Sequence, residues 1–214
     1  MKKPIIIELL AGEGGGKTSS VPLIEEVVRA SGRDVIRSRE PGGTEFGEVL
    51  RGLLLRDGHD IGPHTQQLLM QASRSEHVRQ VIGPMIERGT SVILDRYLGT
   101  TISHQGAGFG LSVDFIERVH EETAGLRSDL LIVYDVDAEI GLKRSLSRNA
   151  AEASDETKFE GLDLEFHQRV RESCLRQARE RGENAILLDA SQPLEKVRSD
   201  LVEALTRWLA VLDA

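Results

Sequence analysis

The sequence predicts an α/β protein built on an open, mostly parallel five-stranded sheet flanked by helices. Three observations predict it. Five short runs rich in Ile, Val and Leu recur along the chain, each separated from the next by helix-length sequence. Strands that alternate with helices form parallel sheets joined by right-handed crossovers. The runs are continuously apolar rather than alternating, as in strands covered on both faces. Finally, 214 residues with 39% hydrophobic and 29% charged side chains suffice for one sizeable core. No repeat or linker interrupts them, so a single domain over 1–214 is expected.

Taken in order, "KPIIIELL" (3–10) supplies the first strand, and "SSVPLIEEVVRASG" (19–32) a helix that stops at Gly32. "RDVIRSRE" (33–40) is the second strand. "PHTQQLLMQASRSEHVRQVIGPMIERG" (63–89) reads as one long helix, bent at Pro84 and closed by Gly89. The remaining strands are "TSVILDRY" (90–97), "SDLLIVYDV" (128–136) and "NAILLDAS" (184–191). "DLEFHQRVRESCLRQARERG" (163–182) and "PLEKVRSDLVEALTRWLAVLDA" (193–214) are amphipathic helices. The polar stretch "SRNAAEASDETK" (147–158) reads as a mobile loop inside the domain.

Composition narrows the function. The longest apolar runs, "PIIIELL" and "LLIVY", are too short to cross a bilayer. No basic, apolar leader opens the chain, and the single cysteine, Cys174, suits a reducing compartment, so a cytoplasmic location is expected. A net charge of −8 argues against broad binding to a nucleic-acid backbone. It leaves room for a local basic pocket around a small phosphorylated ligand. The six histidines are scattered, without metal-ligand spacing.

The stretch "LLAGEGGGKTSS" (9–20) carries the second half of the phosphate-loop pattern G-x-x-x-x-G-K-[ST], with Ala11 where the first glycine belongs. It follows an apolar strand and opens a helix, where unpaired N–H groups and the positive dipole end converge. Gly12, Gly14, Gly15 and Gly16 free the backbone to form an anion nest. Lys17 can reach terminal phosphate oxygens, Thr18 can join a magnesium shell, and Ser19 follows in the first turn.

Two further stretches, "SREPGGTEFGEVLRGLLL" (38–55) and "DRYLGTTISHQGAGFG" (95–110), extend the pattern. With the loop, and with "LKRSLSR", "FEGLDLEFHQRVRESCL" and "DASQPLEKVRSDLVEALTRW", the chain resembles the thymidylate kinase family along nearly its whole length. The resemblance implies a P-loop kinase fold with a short lid at about 147–160, ATP as donor, Mg²⁺, a nucleoside monophosphate acceptor and a homodimer mediated by a helix such as 64–89. It implies that Arg39 grips the acceptor phosphate, that Arg96 sits beside it, and that Asp95 holds magnesium partly through water. Glu13 takes the position that contacts the acceptor's 3′ hydroxyl. Arg74 takes that of the arginine at the base edge, and Gln105 is retained.

The base pocket departs from the family. Met70 stands where an aromatic ring stacks on thymine, and Gln71 is its altered neighbour. Thr100 replaces a usual Ser, His104 a usual Tyr that crowds out a 2′ hydroxyl, and Leu10 a usual Glu before the loop. In the lid, Thr157-Lys158 stand where Asp-Arg precedes "FE". A lysine lacks the bidentate fork, and an arginine finger is worth about 10³–10⁵ in rate in related chemistry. Lys158 and Arg148 are therefore the lid's expected catalytic cations, with Arg144 a further candidate. Three readings follow: phosphorylation of dTMP; phosphorylation of a C5-modified pyrimidine nucleotide, such as 5-hydroxymethyl-dUMP or that base in DNA; and a nucleotide-binding module with little transfer.

Overall fold

The computed structural model describes residues 2–56, 59–152 and 158–214. Strands β1 (Ile6–Ala11), β2 (Val35–Arg39), β3 (Ser91–Asp95), β4 (Leu130–Asp135) and β5 (Ala185–Asp189) form one sheet in the order β2-β3-β1-β4-β5. Every neighbouring pair is parallel. The expected architecture is therefore present, with the chain reversing its direction of spread at β1. Ligands in such sheets settle at the carboxyl ends of the strands beside that switch point. Here Arg39 pairs in register with Asp95, and Asp95 with Leu9, so three chemically loaded loops leave the sheet side by side.

Every residue of β1 is buried. On one face, α1 (Lys17–Ala30) and α9 (Leu194–Leu212) bring Ile24, Val28, Leu201 and Leu205 onto Ile7, Leu9 and Ile132. On the other, α8 (Leu164–Arg181) lays Phe166, Val170 and Cys174 over Leu10, Leu131 and Val133. Each fully buried aliphatic chain of this kind contributes about 1.5–3 kcal/mol. The runs of β1, β3 and β4 read as doubly covered strands because these form the middle layer of three, whereas the edge strands β2 and β5 are covered on one face only and alternate in burial.

The long helix expected over 63–89 is present but not uniform. After α3 (Pro63–His77) the ladder slips into a π-helical turn, Val78–Ile82, before α4 (Gly83–Glu87). Pro84 has no N–H and crowds the preceding turn, and the Gly83 N–H bonds back to Val78 O instead. The bend is thus a π turn just ahead of the proline. Four helical stretches escape the sequence patterns: α2 (Glu45–Leu55), α5 (Leu98–Thr101) running on as π helix through Ile102–Gly108, α6 (Val113–Thr123) and α7 (Ala138–Glu152).

The loop expected over 147–158 is corrected in its first half. Residues 147–152 continue α7, as the strong helix formers Ala150 and Ala151 allow. Residues 153–157, Thr157 among them, lie outside those described. No helix among the described residues is long and apolar enough to cross a membrane.

Candidate active site

The phosphate loop answers for its missing glycine. Ala11 is the last residue of β1, paired with Tyr134 and fully buried, so nothing turns there. Its methyl fills the space that Gly15 leaves empty, where an added Cβ would come within 2.6 Å of it. Gly14, at φ 65°, lies so close to α7 that a Cβ would meet the Gly141 carbonyl oxygen at 1.9 Å. The loop is therefore wedged between its own strand and α7.

Lys17 opens α1 and is buried. Burial, reinforced by the nearby Arg96 charge, lowers its ammonium to a pKa of about 8, against the opposing pull of Asp95 and Glu13. The Thr18 hydroxyl donates to Asp95 Oδ2 at 3.0 Å. Asp95 Oδ1 is buried without a partner among the described residues, which is the kind of atom a cation site leaves open.

Two clefts meet behind this loop. A phosphate cleft is lined by residues 14–19, Arg39 and Asp95. A second cleft is lined by Met70, Arg74, Tyr97, Thr100, His104, Gln105 and Phe159. Glu13, Glu40, Arg51, Arg96 and Arg148 line both, so three guanidinium groups stand at the junction.

Arg96 reaches this junction through strained backbone. Its φ of 71° is the left-handed conformation that a side chain disfavours, and it is the one non-glycine residue of that kind among those described. Strain of this sort clusters at functional sites, where the surroundings over-determine it. Arg96 Nη2 donates to both oxygens of Glu13, at 2.9 and 3.0 Å. Burial alone would raise the Glu13 carboxyl, but Arg96, His104 and Lys17 hold it well below the usual carboxylate range. His104 lies with Nε2 3.4 Å from Glu13 Oε1 and Nδ1 3.1 Å from Thr100 O. Burial is the leading influence on its imidazole, whose pKa is lowered.

The thymidylate kinase family model matches residues 12–201. A thymidylate kinase from Cereibacter sphaeroides is 45% identical over 201 residues, covering 92% of each chain. One from Deinococcus radiodurans is 36% identical over 212 residues, covering 99% of this chain and 98% of its own. The chain belongs to the thymidylate kinase family. The crystal structure of thymidylate kinase from Ehrlichia chaffeensis shares the fold, with a TM-score of 0.76 at 24% identity over 95% of this chain and 100% of that one.

Against the thymidylate kinase pattern, most of the candidate site residues singled out in the sequence gather at the two clefts, and Gln71, Lys158, Gly12 and Arg144 do not. Gln71 turns away toward α6. It donates to Thr123 Oγ1 at 2.8 Å and accepts from Arg74 Nη1 at 3.1 Å, so it braces Arg74. Lys158 lines neither cleft; its backbone N–H donates to Leu55 O and its Nζ to His59 O, at 3.1 Å, so its ammonium is engaged elsewhere. Gly12 starts the loop without lining the phosphate cleft. Arg144 is likewise engaged elsewhere, donating to Ala190 O at 2.9 Å.

Arg39 reaches the phosphate cleft but is half exposed and paired with Glu48 at 3.1 Å. Arg74 is at the floor of the second cleft and donates from all three nitrogens within the protein. Its partners are Glu40 (2.7 Å), Gln71 and Thr101 (3.0 Å). Two of its five N–H groups remain for a ligand.

Sequence reading missed Arg51, Phe159 and Glu160. Arg51 sits beside the buried stripe Gly47, Leu50, Leu54 of α2, a polar residue at the inward edge of an amphipathic helix. Phe159 brings an aromatic ring to the second cleft, its centroid 5.5 Å from that of His104. In a chain with only 4% aromatic residues, a phenylalanine directly after a polar stretch was the available signal.

Proposed function

We propose that this chain transfers the terminal phosphoryl group of ATP to dTMP, giving ADP and dTDP. It is a nucleoside monophosphate kinase, a phosphotransferase. The observation that carries the reading is the meeting of the two clefts on Arg51, Arg96 and Arg148. Phosphoryl transfer asks the protein for in-line positioning and for charge around the transferred group, and planar guanidinium forks supply both.

Lys17 and the loop amides would hold the donor phosphates, and Arg96 and Arg51 the acceptor phosphate. Glu13, kept ionised by Arg96, can accept a hydrogen bond from the acceptor sugar. Thr100 Oγ1 and both amide atoms of the fully buried Gln105 have no partner among the described residues, and both residues line the second cleft. Buried polar groups left open in this way are ready for a base edge. The Thr18–Asp95 pair fits magnesium, whose bound charge would offset that of the donor phosphates.

Neither a C5-modified acceptor nor a non-transferring module gains support from the relatives. The test is ADP formation from ATP and Mg²⁺ with dTMP, dUMP, UMP, dCMP and 5-hydroxymethyl-dUMP. The highest kcat/KM is expected for dTMP. A higher value for the hydroxymethyl nucleotide would move the reading to that substrate, and no turnover on any of them would end it.

We also read the chain as a homodimer acting in the cytoplasm, where its single thiol, buried and pushed up to about 11, stays reduced. Phe46, Val49 and Leu53 follow one face of α2, and they are exposed, as is Leu68 on α3. Val49→Glu is expected to halve the mass found by light scattering. A wild-type protein that is already monomeric would rule the dimer out.

A further inference from the structure

Arg148 and Glu160 carry opposite charges at the lid side of the clefts, yet they do not pair directly. Two neutral side chains stand between them. Ser145 Oγ donates to Glu160 Oε1 at 2.8 Å and accepts from Arg148 Nη2 at 3.0 Å. Asn149 Nδ2 donates to the same Glu160 oxygen at 2.9 Å, and its Oδ1 accepts from Arg148 Nη2 at 3.4 Å. Ser145, Asn149 and Glu160 are all buried. Each linking group uses one donor and one acceptor, as a hydroxyl or a primary amide can.

The consequence lies in which nitrogens are engaged. A direct ion pair would turn the planar fork of Arg148 onto the carboxylate. The two bridges engage only Nη2, and Nε and Nη1 take no partner among the described residues. Arg148 is itself exposed, so the links tether its guanidinium at one nitrogen while most of its donors stay open to both clefts. Buried polar connections of this kind hold geometry when every member is satisfied.

We infer that Ser145 and Asn149 are positioning residues that hold Arg148 over the transferred phosphate from Glu160 through two parallel links. The inference rests on the proposed transfer to dTMP and on Arg148 acting in it. Because the links are parallel, either one alone keeps the arginine near its place.

The experiment is a set of kinetic cycles with ATP, Mg²⁺ and dTMP, using Ser145→Ala, Asn149→Ala, the double variant, and all three again on an Arg148→Ala background. Each single variant is expected to lower kcat modestly. The double variant is expected to lower it about 10²-fold, the scale of a misplacement of roughly 1 Å, with the KM for dTMP little changed. On the Arg148→Ala background the same substitutions should cost nothing further.

Multiplicative losses, or further losses once Arg148 is gone, would show that Ser145 and Asn149 act only through packing and would overturn the inference. Full turnover by Arg148→Ala would overturn it too, by removing the arginine from the chemistry. If the wild-type protein does not phosphorylate dTMP, the proposed function fails first, and the variants are not needed to show it.

Discussion

Replacing Lys17 by alanine is expected to lower kcat by at least about 10²–10³-fold, the scale seen when one preorganised charge-stabilising donor is removed. The loss should not come with unfolding. Lys17 is a buried ammonium whose pKa of about 8 lies below the ordinary 10.5, so folding below pH 8 carries the cost of taking that charge out of water. The unfolded chain binds the proton more tightly, and stability from this group therefore rises as pH climbs from about 8 toward 10.5. Lys17→Ala removes the cost altogether. Its melting temperature at pH 7 should equal or exceed that of the wild type, and the two should converge as pH rises through that window. In the wild type, kcat/KM for ATP should fall as free enzyme loses this proton above about pH 8. Turnover by Lys17→Ala at the wild-type rate would remove the loop from the mechanism.

Glu40→Ala is expected to produce the largest loss of stability, about 3–5 kcal/mol, the cost of breaking a buried charge pair by removing one partner. Glu40 is 3% exposed and serves two neighbours. Its Oε2 accepts from Arg74 Nε at 2.7 Å, and its Oε1 lies 3.0 Å from His77 Nδ1. The far nitrogen of His77 reaches Ser38 Oγ at 2.7 Å. Removing the carboxylate leaves a guanidinium and an imidazole buried against each other, and it frees Arg74 from the floor of the acceptor cleft. Denaturant titration should show a lower midpoint, and any folded fraction should show a raised KM for dTMP. An unchanged midpoint would mean that solvent reaches this cluster.

The central strands were legible because a middle layer writes itself as unbroken apolar sequence. The helix at 98–108 was not. "LGTTISHQGAG" is rich in Gly and Thr, poor helix formers, and it is held from outside its own sequence. Glu8 accepts from the Gly99 N–H at 2.7 Å, and Gln177 donates to Gly99 O at 3.1 Å. No local pattern announces such partners.

The site was legible wherever backbone fixes the residue. The loop, Asp95 and Arg96 sit at strand ends, and their places follow from the sheet. Lys158 and Gln71 show the limit. Motif position located their Cα atoms near the clefts, but their side chains go to His59 O and to Thr123 and Arg74. Those directions depend on neighbours far away in sequence. Ala11 shows the reverse case, where a departure from the motif costs nothing because the strand has not yet ended.

The close approach of Gly14 to Gly141 bears on how this protein can evolve. Two backbones touch there with no side chain between them, one in the glycine-rich loop after β1 and the other in the first turn of α7. Neither position can accept so much as a methyl group unless the other segment retreats. Random substitution will therefore be filtered at the pair rather than at either residue. Lid variants that persist in descendants of this sequence will be those that leave the first turn of α7 in place and alter the helix beyond it.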